Sequence, residues 1–121
     1  MESNYSKEKN ILIIKLSDDI DQYTVDKIRR KMDDEIERYI ARKVIFDFSN
    51  ISFMDSSGIG MVLGRYKLIK LLGGNLELIN VSKQIKKIFD MCGVTRLISI
   101  MSIAEQTKNT KEEDCNEGII W

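Results

Sequence analysis

Apolar residues recur along this chain in two alternating rhythms. Ile11-Leu12-Ile13-Ile14-Lys15-Leu16 and Val44-Ile45-Phe46-Asp47-Phe48 are short, partly β-branched runs bounded by polar turn residues, the pattern of strands buried in a sheet. Leu76-Glu77-Leu78-Ile79 and Arg96-Leu97-Ile98-Ser99-Ile100 predict two more. Between these runs the spacing lengthens to three or four. Val25, Ile28, Met32, Ile36 and Ile40 form a helical stripe behind Thr24, a candidate N-cap, with Asp26, Lys27, Arg30, Asp34 and Glu37 on the solvent face. Ile59, Val62, Leu63, Tyr66 and Ile69 form a second stripe, in a helix from about Ser57 to Leu72 that Gly73-Gly74 ends. Ile85, Ile88, Phe89 and Cys92 form a third between a capping Ser82 and Gly93, which makes Cys92 a small core residue. Strands alternating with helices predict an α/β fold. The expected architecture is a single domain with a four- to five-stranded, largely parallel or mixed sheet and helices packed against it. Residues 1–106 make up this domain. Residues 107–121 read as a weakly ordered tail, polar and acidic through Lys111-Glu112-Glu113-Asp114 and then apolar at Ile119-Ile120-Trp121.

Charge and composition remove whole classes of function from this frame. Nineteen basic residues balance nineteen acidic ones, so no basic footprint for nucleic acid or for an anionic membrane is expected. The chain contains no histidine, which excludes Ser-His-Asp hydrolysis, Cys-His chemistry and imidazole metal sites together. Cys92 and Cys115 have no CxxC partner, and neither a disulfide framework nor a metal site can be drawn from them. The polar start, MESNYSKEKN, has no signal-peptide core, and no apolar run approaches membrane-spanning length. A cytoplasmic protein is the expectation.

The chemistry concentrates in Ser52-Phe53-Met54-Asp55-Ser56-Ser57-Gly58-Ile59-Gly60-Met61-Val62-Leu63-Gly64-Arg65, where a strand gives way to a helix. Asp and Ser belong at a helix start because their oxygens accept from unpaired first-turn amides. Three glycines do not, since each weakens a helix by roughly 0.5 to 1 kcal/mol relative to Ala. A protein surface approaching closely, with a serine hydroxyl at the centre of contact, accounts for both. Two enzyme readings compete. Gly58-x-Gly60-x-x-x-Gly64 with Glu77 about twenty residues on imitates a dinucleotide fingerprint, but Ser49 to Ser57 separate it from its strand and Leu63 fills a position that needs a small residue. Asp55-Ser56-Ser57-Gly58 is no nucleophile elbow, and no glycine precedes the Lys-Ser/Thr pair of a phosphate-binding loop.

SFMDSSGIGMVLGRYK, from Ser52 to Lys67, resembles the phosphorylation segment of the anti-anti-sigma factors of the STAS family. The likeness extends to Ile11–Leu16, Ile20-Asp21, Val44–Phe48, the paired glycines and Ile88-Phe89-Asp90-Met91-x-Gly93. It implies a regulatory protein and not an enzyme, without cofactor or metal. Ser57 would be phosphorylated by a partner that is both anti-sigma factor and ATP-dependent serine kinase, the ATP being the kinase's. The unphosphorylated form would bind that kinase and release the sigma factor, and a PP2C-type phosphatase would restore it. The sigma factor expected is one of sporulation, with a stress-response sigma factor as the alternative. Asp21, Asp55, Ser56, Ser57, Gly58, Ile59, Gly60 and Gly64 are the partner-binding residues that the resemblance implies. Asp18-Asp19-Ile20-Asp21 departs from the family's Gly-Glu-Leu-Asp, which bears on whether this loop meets the kinase in the usual way.

Overall fold

The computed structural model describes residues 1–17 and 19–102. Five strands lie side by side in their order along the chain: β1 (Glu2–Ser6), β2 (Ile11–Lys15), β3 (Lys43–Asp47), β4 (Asn75–Val81) and β5 (Ser99–Ser102). β1 runs antiparallel to β2, and the other neighbours are parallel. The parallel strands are joined through α1 (Val25–Tyr39), α2 (Ser56–Leu71), and α3 (Lys83–Met91) with the short 3-10 turn Val94–Arg96. Each crossover steps one strand in the same direction. The right-handedness of such connections therefore places all three helices on one face of the sheet.

Alternation along the strands matches this one-sided packing. Leu12, Ile14, Val44, Phe46, Leu76 and Leu78 are buried beneath the helices, whereas Ile13, on the opposite face, is 37% exposed. Met32 and Ile36 complete the core from α1, Met61, Val62 and Ile69 from α2, and Ile85 and Phe89 from α3. Phe48 meets Phe89 edge to face with ring centres 5.9 Å apart. An ion pair between Arg65 Nε and Asp33 Oδ1 at 2.7 Å joins α2 to α1, although the N–H is poorly aimed at the carboxylate. Burial lowers the Arg65 pKa, Asp33 opposes that shift, and Arg29 adds to it.

The helix and strand types expected over residues 11–91 are all present, and four details differ. β1 was not expected, because ESNYS has no apolar alternation; it is held by hairpin pairing to β2 and by the stacking of Tyr5 on Tyr39, ring centres 4.4 Å apart. Ile40 is not a core residue. It is the left-handed C-cap of α1, with φ 46° and 53% exposure. Cys92 likewise caps α3 and is exposed, so its assignment to the core is corrected. The last strand begins at Ser99, because Val94–Arg96 first forms a 3-10 turn. The tail assigned to residues 107–121, and Cys115 with it, lies outside the described residues.

Gly73 and Gly93 adopt φ of 90° and 78° where helices end, as their positions predicted. Gly74 does something different. A Cβ there would stand 2.7 Å from the Ala41 carbonyl oxygen, 3.1 Å from Ile69 Cγ2 and 3.3 Å from the Arg42 carbonyl oxygen. Backbone cannot give way as a side chain can. Gly74→Ala is expected to cost about 1–3 kcal/mol, read as a fall of several degrees in the thermal midpoint. An unchanged midpoint would show that the turn before β3 shifts freely.

Candidate functional site

The carboxyl ends of the parallel strands and the N-termini of all three helices share one pole of the molecule. The segment from Phe48 to Asp55 crosses this pole between β3 and α2. Phe48, Ile51 and Met54 are buried and anchor it, while Ser52 and Phe53 face outward. The Asp47 carboxylate accepts from the Ser49 amide at 2.9 Å and from Asn80 Nδ2 at 2.8 Å, which fixes the first turn.

A second loop, residues 19–24, is laced to the first. Ile20 forms a parallel bridge with Met54: its amide donates to the Phe53 carbonyl at 3.4 Å and its carbonyl accepts from the Asp55 amide at 3.2 Å. Asp19 adds a clamp. Its Oδ1 accepts from the Ser52 and Phe53 amides at 3.1 and 3.0 Å. Asp21 is turned to its own loop, where Oδ1 accepts from the Tyr23 and Thr24 amides at 2.9 and 3.1 Å. Thr24 occupies the N-cap position of α1 without making a capping bond, and Asp21 fixes the turn just before the helix. Sequence reading did not single out Asp19. The signal available was a carboxylate in the loop before α1, and its partners lie more than thirty positions away.

Asp55 is the N-cap of α2, and its Oδ1 accepts from the Ser57 amide at 2.8 Å. Ser56 is exposed and Ser57 half-buried in the first turn, and among the described residues neither hydroxyl is engaged in a hydrogen bond. The pole is acidic. Among the described residues Asp19, Asp21 and Asp55 form no ion pair. A group of His, Cys, Asp and Glu able to hold a metal ion is absent among them as well.

The glycines divide into two kinds. Gly60 and Gly64 lie on the open side of α2, and a Cβ on either would meet nothing within 4 Å. Gly58 is buried, and a Cβ there would overlap the Met54 side chain and stand 3.3 Å from Ile20 Cγ2. It lets α2 start tight against the loop bridge. Ile59 is a core side chain at 8% exposure. Gly58 and Ile59, which the resemblance places among the partner-binding residues, are buried and shape the pole from within, whereas Ser56 and Gly60 are exposed and Ser57 and Gly64 half-buried.

Comparison with known proteins agrees with this geometry. Residues 3–113 match the STAS domain family model. The chain is 37% identical over 92 residues to an anti-sigma F factor antagonist of Paenibacillus polymyxa, covering 76% of this chain and 79% of that protein. It is 28% identical over 99 residues to an anti-sigma-B factor antagonist of Bacillus subtilis (strain 168), covering 82% and 89% of the two. Among solved structures, the anti-sigma factor antagonist SpoIIAA in its unphosphorylated form superposes with a TM-score of 0.69 at 27% identity, covering 99% of this chain and 98% of that one. The phosphorylated form of the Bacillus cell fate determinant SpoIIAA gives 0.63 at 28% identity, over 90% and 97%. With its one-sided sheet, its Asp-Ser-Ser-Gly helix start and these likenesses together, the chain belongs to the STAS domain family, among its anti-sigma factor antagonists.

Proposed function

We propose that this protein is a phosphorylation-controlled anti-anti-sigma factor and not itself an enzyme. Unphosphorylated at Ser57, it binds an anti-sigma factor that is also a serine kinase, and the sigma factor is released. Transfer of a phosphoryl group from the kinase's ATP to the Ser57 hydroxyl ends that contact, and a PP2C-type phosphatase restores it. The protein needs no cofactor of its own. The carrying observation is the half-buried, unengaged Ser57 hydroxyl at a pole where Gly60 and Gly64 leave α2 open to close approach. The higher identity to the sigma F antagonist than to the sigma-B antagonist supports a sporulation sigma factor as the one controlled.

The geometry also explains why a phosphate would be intolerable in the contact. A helix N-terminus ordinarily welcomes an anion. Here the Asp55 carboxylate already holds the Ser57 amide, and Asp19 and Asp21 add negative charge nearby. A phosphoserine carrying about 1.5 to 2 negative charges would find no free cation in this loop pair and would have to be desolvated against the partner. A serine kinase aims a carboxylate at the acceptor hydroxyl as its catalytic base. That group would then face the phosphate as a like charge.

Incubation with the anti-sigma factor kinase encoded in the same genome and ATP, followed by peptide mass spectrometry, tests the assignment. One phosphate on Ser57 is expected. Modification of Ser56 with Ser57 untouched would overturn it.

A further inference from the structure

Seven large apolar side chains are substantially exposed among the described residues, and their distribution is uneven. Ile40, Leu71, Met91 and Leu97 lie at the helix ends and the turn before β5, on the pole away from Ser57, and Ile13 lies on the open sheet face. The two aromatics, Tyr23 at 85% and Phe53 at 54% exposure, both lie at the Ser57 pole. They sit on the two loops that the Ile20–Met54 bridge laces together. Neither loop is slack. Phe53 has its amide held by Asp19 and its carbonyl by Ile20, and the Tyr23 amide is held by Asp21.

Two exposed rings on a fixed backbone are what a protein contact uses as anchors: large area, two side-chain torsions each, and little entropy left to lose. Building on the function proposed above, we infer that Tyr23 and Phe53 are the apolar anchors of the contact with the anti-sigma factor kinase, and that Asp19 is the positioning residue that sets the Phe53 loop. The partner must therefore offer apolar pockets beside the site that receives Ser57, rimmed by basic groups facing Asp21 and Asp55. The continuity of the two rings with the Ser57 helix start selects this occupant over a second copy of the chain, which would find four aliphatic side chains at the other pole.

Calorimetric titration of the unphosphorylated protein into its cognate anti-sigma factor kinase tests this. Tyr23→Ala and Phe53→Ala are each expected to weaken binding at least tenfold, with circular dichroism unchanged because both side chains are exposed. Asp19→Ala is expected to weaken it several-fold, and Asp19→Asn to recover most of that loss, since an amide oxygen still accepts from Ser52 and Phe53. Wild-type binding with both aromatic variants within twofold of it overturns the anchoring while leaving the proposed function intact. Asp19→Asn as weak as Asp19→Ala overturns the positioning. Wild-type protein that neither binds the kinase nor is phosphorylated by it removes the proposed function, and this inference falls with it.

Discussion

Ser57→Ala is expected to bind the anti-sigma factor kinase at least as tightly as wild type and to hold it indefinitely in the presence of ATP, because it removes the acceptor oxygen without adding bulk or charge. The phosphorylated wild-type protein should bind at least a hundredfold more weakly. A unit charge about 4 Å from a like charge is repelled by roughly 4 kcal/mol at an effective dielectric of 20, and about 1.4 kcal/mol is tenfold in affinity. Ser57→Asp should fall between, with one charge in place of nearly two and fewer acceptor oxygens. All three forms should fold alike. The capping bond at this turn runs from the Ser57 amide to the Asp55 carboxylate, and every substitution at position 57 except proline keeps it. Titration of the four species against the kinase gives the order directly, and equal affinity of phosphorylated and unphosphorylated protein would rule out the switch.

Gly60→Leu should abolish kinase binding with no loss of stability, whereas Gly58→Ala should lose stability. A side chain at position 60 projects into open space, and a glycine replaced in an exposed helix gains roughly 0.5 to 1 kcal/mol from propensity alone. The thermal midpoint of Gly60→Leu should hold or rise while the titration goes flat, since the leucine stands where the partner must come closest. Position 58 reverses both signs. Its Cβ would overlap Met54 Cγ and Sδ, and that side chain is only 3% exposed. Overpacking of about 1–3 kcal/mol outweighs the propensity gain. A Gly60→Leu protein that unfolds, or one that binds normally, would take the open side of α2 out of the interface.

The spacing of apolar residues was enough to place β2, β3, β4 and the three helices, because each buries one face and each face carries its own period. Ser82 and Gly93 carried local chemistry that tertiary contacts had no reason to override. β1 escaped notice because an edge strand paired on one side needs backbone more than apolar side chains, and ESNYS brings only Tyr5 to the packing. Cys92 continued a stripe of the right spacing, but spacing does not say where a helix stops. At the site, the helix start at Asp55-Ser56-Ser57 was legible from residue type. The inward role of Gly58 was not, since it depends on Met54 and on Ile20, a residue nearly forty positions earlier. Asp19 was hidden for the same reason: a carboxylate reads as solvated surface until the two amides that it holds are seen.

Strand order that simply follows chain order has a consequence for how the molecule is made. No strand waits for a later one to supply its first neighbour, so every sheet contact closes over one hairpin or one crossover. Each closure spans one hairpin or one crossover, which keeps its entropy cost below that of pairing strands more distant in the chain. During synthesis the sheet can grow outward from the β1–β2 hairpin as each helix leaves the ribosome. The bridge, the Asp19 clamp and the start of α2 all lie between residues 19 and 60, so the surface carrying Ser57 is supported once β4 has docked on β3. The surface carrying Ser57 thus draws its hydrogen bonds from residues that precede α3 and β5 in the chain.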